Sequence, residues 1–218
     1  MRVAALYDVH GMVHALQAVL DDVAREPVDA IVFGGDAFEG PFPRETLELV
    51  RGLDGARFVR GNCERDPDER LRETLGAEAV AWSFAWPVTL ELDGVLYCHA
   101  TPRSDEQILT QDSPDDSFDA ALAGFDHRLV VAGHTHMQFR RGRFANAGSV
   151  GMPYEGEVAA FWAVVGDDVE FRRTAFDVER AIHDIGASDW PGRVEFVAEN
   201  LRAVPSRREA IEHFERVA

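Results

Sequence analysis

The chain has 218 residues, 46% apolar and 28% charged, values that suit one compact globular domain with a modest appendage and exclude disordered, collagen-like and disulfide-scaffold classes. Its formal charge of −17, with 39 acidic residues against 22 basic ones that are all arginine, argues against nucleic acid polymers as partners. Two cysteines, a strand-like N-terminal run in place of a signal peptide, and no apolar stretch of about 20 residues point to the cytoplasm and away from the membrane.

In chain order, Val3 to Leu6 reads as a strand before a helix near Val13 to Arg25, Ala30 to Phe33 as a strand before a helix near Pro43 to Arg51, and Arg57 to Val59 as a strand before a helix over Asp68 to Leu75. Short apolar runs alternating with amphipathic segments predict parallel βαβ units, whose ligand sites lie beyond the carboxyl ends of the strands. The second half turns antiparallel. Val88 to Leu92 and Val95 to Cys98 flank the hairpin signal Asp93-Gly94, and Phe161 to Val165 and Val169 to Arg173 flank another turn.

Between these hairpins, Arg128 to Ala132 reads as a buried strand leading into Gly133-His134-Thr135-His136, and Arg143 to Ala145 as a further strand. The acidic stretch Ser104 to Ser117 is a lid, a dimer contact or a solvated insertion, and composition favours the last. The domain is taken to run over 1–176, followed by a helical extension over 177–218. In that extension Ala181, Ile182, Ile185, Val194, Val197 and Leu201 fall at helix spacing, with breaks at Pro191 and Pro205. These helices pack on the sheet or form the surface of a homo-oligomer.

Polar groups collect at the strand ends: Asp8 and His10, Asp36, Asn62, His99, His134 and His136. Alone, each has a plainer role: a helix cap for Asp8 or Asp36, a turn residue for Asn62, a satisfied core histidine for His99. Together, hard carboxylate and amide oxygens with imidazoles suit divalent transition metals such as Mn, Fe, Co, Ni or Zn. Seven such groups exceed one tetrahedral site, and residues two apart in extended chain point the same way, so Asp-x-His and His-x-His each offer two ligands to one side. His14, His127, His183 and His213 lack such company and read as structural or surface residues.

The pieces Asp8-Val9-His10-Gly11, Gly35-Asp36, Gly61-Asn62-Cys63-Glu64, His99 and Gly133-His134-Thr135-His136 stand in the order and spacing of one known family. Over roughly Met1 to Gly151 the chain resembles the calcineurin-like metallophosphoesterases, and its Gly-Asn-Cys variant resembles their small bacterial and archaeal phosphodiesterase branch. The resemblance implies an α/β fold of the four-layer α/β/β/α sandwich type. It also implies two metal ions, manganese foremost. Asp8, His10 and His136 would hold one, Asn62, His99 and His134 the other, and Asp36 would bridge them. It casts Asp36, Asn62, Cys63 and His99 as catalytic, with a metal-bound hydroxide attacking a small phosphate-ester substrate.

Two departures qualify the transfer. Cys63 stands where many members carry a histidine that protonates the leaving oxygen, and a thiol is a poorer acid at neutral pH. That favours good leaving groups and diesters; the plain alternative for Cys63 is a buried gap-filler. Met12 stands where similar relatives often have Asn, so any contact made by that amide is lost. Glu64 is either an acceptor that orients a metal ligand or an exposed helix-start carboxylate.

Cys98, one residue before His99 on a strand, is expected to face away from the metals. Asn146-Ala147-Gly148-Ser149-Val150-Gly151 resembles a segment of the same branch whose glycines let the backbone approach the metal loops, with a tight turn as the alternative. Substrate contacts fall to Asn62 and to Arg103, whose fork suits phosphate but whose position also fits a solvated loop arginine. A phosphodiesterase leads the functional reading, followed by a phosphomonoesterase or protein phosphatase, and then by a protein-binding module on the same fold.

Overall fold

The computed structural model describes residues 1–217. β1 (Val3–Leu6), α1 (Val13–Val23), β2 (Ala30–Phe33), α2 (Pro43–Arg51) and β3 (Arg57–Phe58) carry the predicted strand-helix alternation. Three short helices follow, α3 (Asn62–Arg65), α4 (Glu69–Leu75) and α5 (Ala77–Phe84), and then β4 (Thr89–Leu92), β5 (Val95–Cys98) and α6 (Asp115–Leu122). The remaining strands are β6 (Leu129–Ala132), β7 (Gln138–Arg141), β8 (Phe144–Ala147), β9 (Ala160–Val165) and β10 (Val169–Thr174). After them come α7 (Val178–Ala187), α8 (Arg193–Phe196), a π-helical turn over Val197–Arg202, and α9 (Arg207–Val217). Among the described residues no helix is long and apolar enough to cross a membrane.

The strands form two five-stranded sheets, ordered β10-β9-β1-β2-β3 and β4-β5-β6-β8-β7. β1, β2 and β3 pair in parallel, with Val3 opposite Ala30 and Val32 opposite Arg57, while β9 closes on β1 antiparallel with Val3 opposite Val165. The β4–β5 hairpin turns through Asp93 (φ 52°) and Gly94 (φ 72°), two left-handed residues in succession, as the type I′ turn of an Asp-Gly pair requires.

Alternation along the strands sorts the core into three layers. Val3, Ala5 and Tyr7 of the first sheet meet Val95, Tyr97, Leu129 and Val131 of the second in a dry layer between the sheets. Ala4 and Leu6 face the other way, onto Leu16 and Val19 of α1 and Ile185 of α7. Leu96, Cys98, Val130 and Ala132 face outward from the second sheet onto Phe118, Leu122 and Ile211 of α6 and α9. The result is the expected α/β/β/α sandwich, and Cys98 lies in the outer apolar layer, as its neighbour's orientation predicts.

The helices after Asp177 divide between the outer layers. Ala181, Ile185, Phe196 and Leu201 join the first, whereas Ala210 and Ile211 join the second. Pro191 and Pro205 fall between helices as expected, but Val194 is 66% exposed, because α8 lasts only four residues and turns that side outward. β7, α5 and α6 are additions to the sequence reading. The four residues of β7, Gln-Phe-Arg-Arg, hold one apolar side chain, and the strand exists because it pairs antiparallel with β8 from Gln138 opposite Ala147 to Arg141 opposite Phe144.

Tyr7 links the two sheets directly: it is fully buried, and its hydroxyl donates to the Val131 carbonyl at 2.9 Å. Removing that hydroxyl in Tyr7→Phe is expected to cost about 1 kcal/mol, the net worth of one such bond. Urea unfolding followed by circular dichroism checks this, with a lower midpoint at unchanged slope as the expected outcome.

Candidate metal centre

The sheets present their carboxyl ends at one edge, and the chain leaves them by an unusual route. Asp8 (φ 52°), His10 (φ 47°), Asp36 (φ 52°), His134 (φ 67°) and His136 (φ 58°) all sit in the left-handed region, and among the described non-glycine residues only Asp93 joins them there. Each such residue costs of order 1 kcal/mol or more, and clustering of that strain is a mark of functional sites. The loops are held by a backbone lattice: His10 N–H donates to Asp36 O at 2.9 Å, Gly133 N–H to His99 O at 2.8 Å, and Gly151 N–H to Asp8 O at 3.0 Å.

Two glycines are dictated by close approach. A Cβ on Gly133 would lie 2.3 Å from Asp8 Oδ2, and one on Gly151 would lie 2.0 Å from the Val9 carbonyl. The Asn146 to Gly151 segment therefore does approach the metal loops, and Ser149 Oγ adds a bond to Asp8 O at 2.8 Å.

Carbonyl partners set the tautomers of the imidazoles. Nδ1 of His10 faces Glu39 O at 3.2 Å, Nδ1 of His99 faces Gly34 O at 2.9 Å, and Nδ1 of His136 faces Met152 O at 2.7 Å. A carbonyl only accepts, so these Nδ1 atoms carry a proton, and each ring in its neutral form turns an Nε2 lone pair inward. Those Nε2 atoms converge on Asp8 Oδ1, at 3.4 Å from His136, 3.9 Å from His99 and 4.0 Å from His10. Asp8 Oδ1 is buried and has no hydrogen-bond partner. His10 and His136 even bring their Nε2 atoms to 3.3 Å of one another. Acceptors facing acceptors without a proton between them need a cation, and this is the test that the residue set passes.

The acidic and imidazole groups fall into two overlapping sets, Asp8, His10 and His136, and Asp8, Asp36 and His99. Asn62 Oδ1 joins the second at 3.0 Å from His99 Nε2, with Asp36 Oδ2 3.4 Å from the same nitrogen. His134 is arranged differently. Its Nε2 meets the Glu106 carbonyl at 3.2 Å and its ring stands edge-on to His99 at 5.2 Å between centroids, so Nδ1 is the nitrogen left for a ligand.

Electrostatics agree with a cation site. Burial raises the Asp36 carboxyl, but the His99 and His10 imidazoles and the Cys63 N–H outweigh it and hold the group well below the usual carboxylate range. Asp8 is lowered in the same way, with burial overcome by His136 and His99. For His99, burial lowers the pKa, yet the Asp36 and Asp8 carboxylates push it up to about 10. A proton on this ring answers the same negative potential that a metal would.

Glu64 is no exposed helix-start residue. It is 3% exposed and accepts backbone N–H bonds from Asp36 at 2.8 Å, Ala37 at 2.8 Å and Gly61 at 3.0 Å, tying the loop after β2 to the loop after β3. Burial, then the Asp36 carboxylate, pushes Glu64 up to about 7 against those three donors. The Cys63 N–H donates to Asp36 Oδ1 at 2.9 Å, and burial followed by the Asp36, Glu39 and Glu64 carboxylates raises its thiol far above the ordinary range. Cys63 and Cys98 are both free thiols.

Met12 is fully buried in the outer apolar layer. Arg103 is an exposed loop arginine, as its position in sequence allows, and it is held in place by a donated bond to the Ala123 carbonyl and by the Phe125 ring beneath it. The Ser104 to Ser117 stretch is not a solvated insertion: Arg65 pairs with Asp105 and Glu106, Leu109 and Thr110 are buried, Leu109 O accepts from Thr135 Oγ1, and the last residues begin α6. Sequence reasoning missed Tyr154, whose ring stacks on His136 at 4.9 Å between centroids; a lone tyrosine beyond a glycine-rich turn carries no signal of that contact.

Substituting Glu64→Gln places an amide against donors that need an acceptor. It is expected to weaken manganese binding by about 10- to 100-fold, the usual effect of losing an outer-shell partner. Titration of metal-stripped protein with manganese, followed calorimetrically, measures it.

Comparison with known proteins gives the family. The model described as "Calcineurin-like phosphoesterase superfamily domain" matches residues 1–167. The uncharacterized protein MJ0912 of Methanocaldococcus jannaschii is 27% identical, over 91% of this chain and 96% of its own. The crystal structure of a metallophosphoesterase from Sphaerobacter thermophilus is similar at TM-score 0.75 and 27% identity, covering 93% of this chain and 99% of that one. Hypothetical protein PH1004 from Pyrococcus horikoshii OT3 shares the fold at TM-score 0.77 and 20% identity, covering 91% and 98%. With its two sheets, its strand-end acidic and histidine loops and a match over most of its length, this chain belongs to the calcineurin-like phosphoesterase superfamily of metal-dependent phosphoric ester hydrolases.

Proposed function

We propose that the chain is a cytoplasmic phosphodiesterase that cleaves a small organic phosphate ester at two divalent cations, manganese foremost. Asp8, His10 and His136 would hold one cation and Asn62, His99 and His134 the other, with Asp36 shared by both. The observation that carries this reading is the buried, unpartnered Asp8 Oδ1 ringed by the lone pairs of three imidazoles. Two cations at this position supply Lewis acidity, polarising a phosphoryl oxygen and making a water nucleophilic near neutral pH.

The chain's own groups do the rest. Carbonyl bonds to three Nδ1 atoms fix the ring orientations before any ligand arrives, and Glu64 holds the Asp36 loop against the Asn62 loop. Asn62, half-buried at the start of α3, is placed to hold a phosphoryl oxygen through its side-chain amide. Cys63, with its raised thiol pKa, gives the leaving oxygen little acid assistance, which favours diesters whose leaving group departs as a stable anion. Two buried free thiols suit a reducing compartment.

Metal-stripped protein refilled with manganese is expected to hydrolyse a bis-aryl phosphate diester faster than the matching aryl monoester. Asp36→Asn is expected to lower that rate at least about a hundredfold. Inactivity on both esters across several divalent metals would overturn the enzymatic reading and turn attention to protein binding. Cys63→His is expected to raise monoester turnover about tenfold or more, the lower end of general-acid contributions. No gain in kcat would remove the missing acid as the cause of diester preference.

A further inference from the structure

The metal cluster uses one side of His99. On another side lies a pocket of about 190 Å³ whose walls include Arg60, Arg65, His99, Thr101, Arg103 and Asp105. Two of its arginines differ from most in this acidic chain. Arg65 is paired with Asp105 at 2.8 Å and Glu106 at 2.6 Å, one positive charge against two negative ones, so it has no charge to spare for a ligand. Arg60 and Arg103 have no carboxylate partner among the described residues.

Each of the two donates to a backbone carbonyl, Phe84 O for Arg60 and Ala123 O for Arg103, and each guanidinium lies over a phenyl ring, at 4.8 Å on Phe84 and 5.3 Å on Phe125. Arg60 Nε is buried and bonded to nothing. Stacking and carbonyl bonds fix both forks while leaving N–H donors unspent, and their uncancelled charge stands beside the metal centre of a chain whose net charge is −17. An anion must be expected there on charge grounds, and a fork of N–H donors matches the oxygens of a phosphoryl group.

We propose that this pocket receives a second phosphoryl group of the substrate, so that the esters cleaved here carry at least two, one at the metal centre and one between Arg60 and Arg103. The proposal rests on the phosphoesterase reading for its first phosphoryl site. It names the substrate class as organic di- or polyphosphates rather than simple diesters. The general repulsion of a −17 surface toward such polyanions makes local, unpaired arginines the feature that admits them.

The test compares methylenediphosphonate with methylphosphonate, titrated calorimetrically into the manganese-loaded full chain at matched free manganese, with bound metal assayed before and after. The wild type is expected to bind the diphosphonate at least about tenfold more tightly, the value of one added charge-assisted contact. Arg60→Gln and Arg103→Gln should each remove most of that preference while methylphosphonate affinity holds. Arg60→Lys, which keeps the charge and loses the fork, should retain part of it.

Equal binding of the two phosphonates by the wild type would overturn the proposal. So would an undiminished preference in both glutamine variants with native circular dichroism. Diester hydrolysis without a diphosphonate preference would keep the phosphodiesterase reading and end this one. A diphosphonate preference in a protein that cleaves no ester would do the reverse.

Discussion

A buried carboxylate oxygen facing three imidazole lone pairs is the constraint around which this molecule is arranged. Asp8 Oδ1 has no hydrogen-bond partner, and the rings near it are turned by their Nδ1 bonds so that each points its Nε2 toward it. Such a cluster is unfavourable by itself, since buried acceptors without donors cost desolvation energy. The fold holds it together by force of geometry: Asp8, His10, Asp36, His134 and His136 are kept in left-handed backbone, and Gly133 and Gly151 admit atoms where a methyl group would collide. Binding free energy of the cations offsets this strain, so metal affinity and stability are linked.

The site was legible in the sequence because its residues fall into short motifs at the ends of recognisable strands. Asp8, Asp36 and His99 follow short continuous apolar runs, and the structure finds those runs buried between the sheets or beneath the helices. The alternation that puts Tyr7 inward and Leu6 outward is also the reason that Cys98 and His99 diverge. What sequence could not supply was partnership across distance. Glu64 reads equally well as exposed or buried until the two loops it bridges are brought together, and Tyr154 has no partner in sequence near His136. β7 was illegible for a related reason: a strand with two arginines forms only because β8 is there to pair with it.

The Ser104 to Ser117 stretch shows how composition misleads when polar residues are fixed rather than solvated. Asp105 and Glu106 are taken up by Arg65 and Asp115 by Arg141, and the backbone of the stretch serves as acceptor for His134 and Thr135. The His134 imidazole is therefore oriented by a loop some 28 residues away in sequence. The same economy appears in Arg65 itself, which follows Asn62, Cys63 and Glu64 on α3 and joins the metal loops to this strap.

The order of the strands has a consequence for how the chain is made. β1 is synthesised first, yet it is the central strand of its sheet and needs β9 at its side, with Ala5 opposite Ala163. The outer face of the second sheet, in turn, is not fully covered until α9 brings Ala210 and Ile211 to it. A nascent chain leaving the ribosome therefore carries two unfinished apolar faces until nearly all of it has emerged. Because these faces are closed by segments far apart in sequence, the contacts that complete the core are long-range ones, the kind that form slowly in folding.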